Sequence, residues 1–245
     1  VSLPKIRLER CVNEGCGCWR LDPEQERHLV RSLRSYDGAS VEGLLSGDCG
    51  ARLLMRLESD GKGRLLREVA HSPEVPDSLS ITLLIALLKT EQFNAVLHAS
   101  AELGVQSIIP VVCERSVPRI DESGAIKKIS RWRKILDEST LVSGAAFSPQ
   151  ICAPIDFGDI PWNGLPQARY AAVIAPDALP VARILPDLEG FGELAFAVGP
   201  EGDWTEREKT ELFQNGFVSI SLGRRVMRAS TAAIVACGCF RLSSL

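Results

Sequence analysis

From Ile81 to Leu88 the chain reads Ile-Thr-Leu-Leu-Ile-Ala-Leu-Leu, with Thr82 as its only polar residue. A strand of this kind has no face to give to water. It must lie inside a sheet covered on both sides, which is the environment of a parallel α/β sheet. It is also far too short for the ~20 apolar residues of a membrane span. The next segment, Glu91 to Leu103, sets Phe93, Val96, Leu97, Ser100 and Leu103 at helical spacing; Gly104 ends it and Ser107 to Val112 resumes as a strand. The alternation continues with a helix from about Ser130 to Ser143 and strands near Tyr170 to Ala175 and Leu194 to Val198. A helix after Trp204, a strand Phe217 to Leu222 and an apolar helix Ser230 to Leu242 complete it. Strands alternating with helices predict a mostly parallel sheet with helices on its faces.

Upstream the pattern differs. Short alternating runs at Lys5 to Leu8, Val41 to Leu45, Ala51 to Leu57 and Arg64 to Val69 are punctuated by Gly and Asp, and predict a small β-rich module. One helix interrupts them: Asp22-Pro23-Glu24-Gln25 offers an N-cap, a proline at the first helical position and a glutamine three residues after the cap, followed by His28 to Arg34. The proline-containing stretch His71 to Ser78 has little hydrophobicity and no periodicity, so the expected organisation is a β-barrel over residues 1–72 and an α/β domain over residues 73–245.

Among 245 residues, 28 Lys+Arg face 31 Asp+Glu, a formal net charge of −3, and neither half of the chain is basic. Any polyanion site must therefore be local. Arg115, Arg119, Lys127, Lys128, Arg131, Arg133 and Lys134 cluster opposed only by Asp121 and Glu122, with Glu114 at the edge. With Arg31 and Arg34 this cluster is a candidate phosphate-contacting surface, a solvated helix face being the alternative. The eight cysteines are too sparse for a disulfide scaffold and are expected to be reduced thiols of a cytoplasmic protein. Cys11, Cys16 and Cys18 lie close together but lack a fourth ligand at zinc spacing, so no metal is expected. Val1 to Arg10 reads as a strand, without the apolar run of a signal peptide.

Ligands of open parallel sheets bind beyond the carboxyl ends of the strands, which points to the loops after Ala175, Val198 and Leu222. Val198 leads into Gly199-Pro200-Glu201-Gly202-Asp203-Trp204-Thr205-Glu206-Arg207-Glu208. Thr205 and Glu208 have capping-box spacing, so a helix starts there and the Gly-Pro-Glu-Gly turn is left to present backbone groups. A plain strand-to-helix turn is the competing reading. After Leu222 and Gly223, three arginines fall within five residues, Arg224, Arg225 and Arg228. They are either a solvated charge run or phosphate contacts. Ala175-Pro176-Asp177-Ala178 is weak taken alone.

Glu102-Leu103-Gly104-Val105, Pro110, Glu114-Arg115-Ser116, Gly199-Pro200-Glu201-Gly202, Leu222-Gly223, Val226-Met227-Arg228 and Thr231-Ala232, in this order, resemble the ribosomal RNA small subunit methyltransferase E family. His28-Leu29, Leu33-Arg34 and Gly38 are similar to its N-terminal pattern. The resemblance implies a trefoil-knotted SPOUT-type domain preceded by a PUA-like β-barrel. It implies a homodimer that transfers methyl from S-adenosylmethionine to N3 of a uridine in small-subunit (16S) rRNA. Carried over, the cofactor residues are Ala175, Pro176, Gly199, Pro200, Glu201, Gly202, Leu222, Gly223, Val226 and Met227. Arg228 is the residue expected at the target base, where a cation stabilises the developing imide anion. Arg224 and Arg225 join the RNA-contacting set, and the apolar helix Ala232 to Phe240 is the expected dimer surface. The family's Glu-Gln and Ser-Gly-Arg after the Trp132 helix are replaced by Leu141-Val142-Ser143-Gly144-Ala145; Ala99, Asp203 and Ser230 replace a lysine, a glycine and a glutamate. These losses keep open a second reading, a catalytically weak paralogue acting as an RNA-binding or ribosome-associated protein. The acidic balance further predicts weak, salt-sensitive binding to free RNA and a preassembled subunit as substrate.

Overall fold

A computed structural model describes residues 3–32, 34–45, 51–73, 77–117, 122–145 and 147–244. The chain divides into two compact units, Val1–Pro76 with Thr140–Ser148, and Asp77–Ser139 with Pro149–Leu245. Arg119, one of the basic candidates, and Cys49 lie outside the described residues.

The first unit is built on a mixed sheet of strands β1 (Lys5–Arg7), β2 (Val12–Gly15), β3 (Cys18–Arg20), β4 (Ser40–Leu45), β5 (Ala51–Asp60) and β6 (Gly63–Pro73), in the order β1-β4-β5-β6-β3-β2. β1 and β4 run parallel and the remaining neighbours antiparallel. Period-two burial is clearest in β5, where Leu53, Met55 and Leu57 enter the core and Arg52 and Arg56 stay outside. The predicted capping box forms: Asp22 Oδ1 accepts from the amides of Glu24 and Gln25, both at 2.8 Å, and Gln25 Oε1 accepts from Asp22 N. Helix α1 (Pro23–Arg27) is shorter than its pattern suggests, because the chain passes into a π-helical turn, His28–Ser32, that buries Leu29 completely.

The β2–β3 hairpin has no counterpart in the sequence reading. Gly15, Cys16 and Gly17 take φ of 83°, 50° and 70°, so the tight turn uses two glycines around a strained cysteine. The neighbouring thiols have separate partners: Cys11 Sγ donates to Gln25 Oε1 at 3.4 Å, and Cys18 Sγ accepts from Arg67 Nη1 at 3.1 Å. Burial pushes the Cys11 thiol up to about 12.

Arg20 ties the hairpin to the β5–β6 turn by hydrogen-bonded ion pairs to Glu14 and Asp60. The Arg20 guanidinium, then the Lys62 amide, pull the Asp60 carboxyl down from 3.8 to about 2. A depressed carboxylate stabilises the fold fully above its unfolded value and loses that contribution as pH falls through the folded one. Unfolding titrations should therefore show wild type losing more stability than Asp60→Asn between pH 3.8 and about 2; parallel curves for the two proteins would refute the assignment.

The second unit holds β7 (Ser80–Ala86), β8 (Ser107–Val112), β9 (Gln150–Ile151), β10 (Ile155–Asp156), β11 (Ala168–Ala172), β12 (Leu179–Pro180), β13 (Glu193–Val198) and β14 (Val218–Ser221). The order is β10-β8-β7-β13-β11-β14-β12 with β9 also on β8, and each recorded pairing is parallel. The apolar run that begins at Ile81 is why β7 sits inside. Ile81, Leu83 and Ile85 face a core with Phe93, Trp132, Phe196 and Phe240, while Leu84 and Ala86 face a second core with Ala195, Ala197, Trp204 and Phe217.

Helices α2 (Thr90–Glu102), α3 (Glu122–Ser143), α4 (Val181–Ile184), α5 (Glu206–Gln214) and α6 (Ala229–Ser243) complete the chain. α3 begins well before Ser130, since Gly124 to Lys128 adds no apolar periodicity from which its start could be read. α6 buries Ala229, Ala232, Ala233, Ala236, Cys237 and Phe240, a helical stripe of mostly small side chains that permits close approach to the sheet. That stripe belongs to the chain's own core, so the part of the Ala232 to Phe240 helix left for a partner is its half-buried face, Ile234, Val235, Gly238 and Cys239. At the far end Arg241 donates to the carbonyls of Leu103 and Gly104 and pairs with Asp77, fastening α6 to the end of α2. Among the described residues no helix is long and apolar enough to cross a membrane.

Candidate functional site

β11 lies between β13 and β14, so the loops leaving these three strands converge at one edge of the sheet. Between them is a cleft of ≈ 450 Å³, a volume suited to a small-molecule ligand. Its floor is Ala172, Val198, Ile220 and Ala232; its walls are Val173 to Ala175, Gly199 to Glu201 with Asp203, and Ser221 to Ala229.

The Gly199 loop is shaped by what lies beneath it. Trp204 is buried and its Nε1 donates to Ala172 O at 3.0 Å, joining this loop to the end of β11. A Cβ on Gly199 would fall 2.9 Å from Trp204 Cε2 and 3.0 Å from Nε1, so the close approach of backbone to indole requires glycine. Asp203 N donates to Pro200 O at 3.0 Å, closing a turn around Glu201 and Gly202. Asp203 itself has φ of 59°, the left-handed region that explains a glycine in the family pattern; aspartate tolerates it better than most residues, and here its carboxylate pairs with Lys209 at 3.2 Å.

The helix behind the loop is fixed by buried Glu208. Its Oε2 accepts from Thr205 N at 2.8 Å and from Thr205 Oγ1 at 3.1 Å, and its Oε1 accepts from Glu114 N at 2.9 Å on the exit of β8. Glu208→Ala strands three donors and should cost about 2–4 kcal/mol, with Glu208→Gln losing less. Chemical denaturation measures both, and a loss below about 0.5 kcal/mol for Glu208→Ala, the scale of an ordinary surface change, would contradict the role.

The opposite wall is cationic. Arg224, Arg225 and Arg228 are exposed, and their side chains make no hydrogen bond or ion pair among the described residues. Arg228 is the N-cap of α6 with extended φ and ψ of −63° and 150°, and its carbonyl accepts from Ala232 N at 2.9 Å. No side chain caps that helix start, so its positive dipole end adds to the three guanidinium groups. Glu201, exposed on the facing loop, supplies the opposite charge. Leu222 and Met227 line the cleft while packing on the main core, whereas Val226 is 76% exposed. Gly223, at φ 136°, is held by Ser221 Oγ, which accepts from its amide.

Of the residues singled out from sequence, Ala175, Gly199, Pro200, Glu201, Leu222, Gly223, Arg224, Arg225, Val226, Met227 and Arg228 meet at this cleft. Pro176 and Gly202 do not line it: Pro176 is exposed beside it, and the Gly202 carbonyl accepts from Arg115 Nη1 at 2.8 Å. Lys127, Lys128 and Arg131 lie along α3, Lys127 and Arg131 exposed and Lys128 half-buried; Arg31 and Arg34 belong to the N-terminal unit. Sequence reasoning missed Ala172, Val173, Ile174, Ser221 and Ala229 as lining residues and Trp204 as the support. None is chemically conspicuous, and only strand ends brought together by the sheet order single them out.

Residues 75–241 match the family described as RNA methyltransferase domain. Ribosomal RNA small subunit methyltransferase E of Synechocystis sp. is 30% identical over 227 residues, spanning 88% of this chain and 70% of that protein. The protein of the same name from Bacillus subtilis is 26% identical over 94% of this chain and 92% of its own. Among solved structures, ribosomal RNA small subunit methyltransferase E of Neisseria gonorrhoeae, bound to S-adenosyl methionine, superposes with a TM-score of 0.81 at 27% identity, covering 96% of this chain and 95% of that one. A methyltransferase of Legionella pneumophila in complex with its bound cofactor SAM reaches a TM-score of 0.84 at 25% identity, covering 99% and 98%.

Proposed function

Because the chain belongs to the ribosomal RNA small subunit methyltransferase E family, we propose that it transfers a methyl group from S-adenosylmethionine to N3 of a uridine in small-subunit rRNA. The observation that carries this reading is the cleft at the ends of β11, β13 and β14, where small residues expose backbone groups, one wall is cationic and the other presents Glu201.

The residues present fit the cofactor. Main-chain groups of Gly199, Glu201 and Leu222 at the cleft would meet adenine and ribose, with Leu222 and Met227 as the apolar surface for the ring. Glu201 complements the cationic amine and sulfonium, while the start of α6 suits a carboxylate or phosphate. When bound, S-adenosylmethionine supplies an electrophilic methyl group on a sulfonium. Arg228, at the cleft rim, would stabilise the negative charge left on the uracil imide when N3 gives its proton to solvent, which makes N3 a competent nucleophile. The loops, joined through Trp204 and Glu208, would orient the bound cofactor toward the target base.

Arg224 and Arg225 contact phosphates flanking the target, and Lys127, Lys128 and Arg131 of α3 extend that surface, as do Arg31 and Arg34 of the N-terminal unit. In this reading the N-terminal unit is a PUA-like barrel, the second unit a trefoil-knotted SPOUT domain, and the protein a cytoplasmic homodimer joined through the outer face of α6. Light scattering tests the dimer, and a monomer contradicts it. Calorimetric titration with S-adenosylmethionine tests the cofactor: saturable binding is expected, and no heat at about millimolar ligand, where even a weak site fills, would overturn the reading.

A further inference from the structure

The Glu114-Arg115-Ser116 motif at the exit of β8 is far from the cleft in sequence and does not line it. Each of its residues is nonetheless committed to shape. Buried Ser116 closes the turn, its Oγ accepting from Cys113 N at 3.1 Å and its amide donating to Cys113 O at 3.0 Å. The Glu114 amide donates to Glu208 Oε1 at 2.9 Å. Arg115 Nη1 donates to Gly202 O at 2.8 Å and reaches Trp204 O at 3.5 Å. Its aliphatic stem lies against Gly202, where an added Cβ would stand 3.3 Å from Arg115 Cβ and 3.4 Å from Cδ. The turn thus holds the start of α5 through Glu208 and the two carbonyls preceding that helix through Arg115.

We propose that Arg115 is a positioning residue for the cofactor loop, its guanidinium holding the Gly202 and Trp204 carbonyls so that Gly199 to Glu201 keep the shape that receives S-adenosylmethionine. This rests on the function proposed above. It differs from the expectation that Arg115 contacts RNA, since Nη1 is committed to the loop carbonyls and only Nε and Nη2 are left for a phosphate. Two N–H groups of one Nη nitrogen serve two carbonyls, a geometry that a lysine ammonium reproduces only in part.

Arg115→Ala and Arg115→Lys distinguish the two roles through three measurements: affinity for S-adenosylmethionine, affinity for a small-subunit rRNA fragment over a salt series, and hydrogen exchange of residues 199–205. Loss of a charge-assisted hydrogen bond predicts about 10–100-fold weaker cofactor binding in Arg115→Ala, a raised KM for the cofactor and a kcat within about threefold of wild type at saturation. Exchange of the Gly202 to Trp204 amides should quicken, RNA affinity and its salt slope should stay as in wild type, and Arg115→Lys should fall between. Unchanged cofactor affinity and exchange, with RNA affinity and salt slope reduced by about one phosphate contact, would overturn the proposal. If Arg115→Ala proves unstable, Arg115→Lys decides by the same criteria. If wild type binds no S-adenosylmethionine, the proposed function fails separately, and exchange of residues 202–204 still decides whether Arg115 braces the loop.

Discussion

Arg228→Ala is expected to lower methyl transfer by about 10²–10³-fold, the scale of removing one preorganised electrostatic donor, while changing S-adenosylmethionine affinity by less than about threefold. The asymmetry follows from the placement of the residue. The Arg228 backbone starts α6 through the 2.9 Å bond from Ala232 N, and alanine keeps that carbonyl. Its side chain, by contrast, is exposed at the cleft rim and makes no hydrogen bond or ion pair among the described residues, so its removal disturbs no fold contact. A group of this kind acts on charge that appears during the reaction. Single-turnover kinetics with saturating cofactor separates the two effects. Equal weakening of turnover and cofactor binding would move Arg228 into the cofactor pocket.

Gly199→Ala should disable the cleft from beneath. The added methyl would stand 2.9 Å from a buried indole that contacts Phe157 with ring centroids 5.7 Å apart and is hydrogen-bonded to Ala172 O. Relief of the clash requires the indole to shift against Phe157, and the Nε1 bond must then lengthen or break. Overpacking and one lost buried hydrogen bond together amount to about 2–4 kcal/mol. A shifted Trp204 displaces the Gly199 to Asp203 turn, so cofactor affinity should fall at least about 30-fold, a penalty of roughly 2 kcal/mol. Thermal unfolding and calorimetry check the two effects, and a variant with wild-type stability and affinity would show that the loop tolerates the methyl. Asp203→Gly is the informative contrast: φ of 59° suits glycine, so that change relieves strain and forfeits the pairing with Lys209.

Much of this architecture was legible in the residues because the signals were local. The apolar stretch beginning at Ile81 requires burial on both faces, and β7 does lie between β8 and β13 with a core on each side. The Asp22–Gln25 and Thr205–Glu208 boxes mark the helix starts where the structure has them. The β2–β3 hairpin escaped notice because its strands are short and β2 is exposed throughout, leaving no alternation to read. At the site, the three loops could be chosen from strand ends, but not the wedge of Trp204 under Gly199, which depends on tertiary packing. Arg115 shows the same limit: in sequence it opens a basic run, whereas in space its guanidinium is bound to carbonyls 87 and 89 residues away.

The destination of the methyl group is the most direct test of the proposed activity. Small ribosomal subunits from cells lacking the protein should be incubated with the purified chain and S-adenosylmethionine carrying a labelled methyl group, and their rRNA digested to nucleosides for mass spectrometry. Label is expected in one 3-methyluridine, strongly reduced with Arg228→Ala. No transfer to such subunits, or label confined to another nucleoside, would contradict that activity.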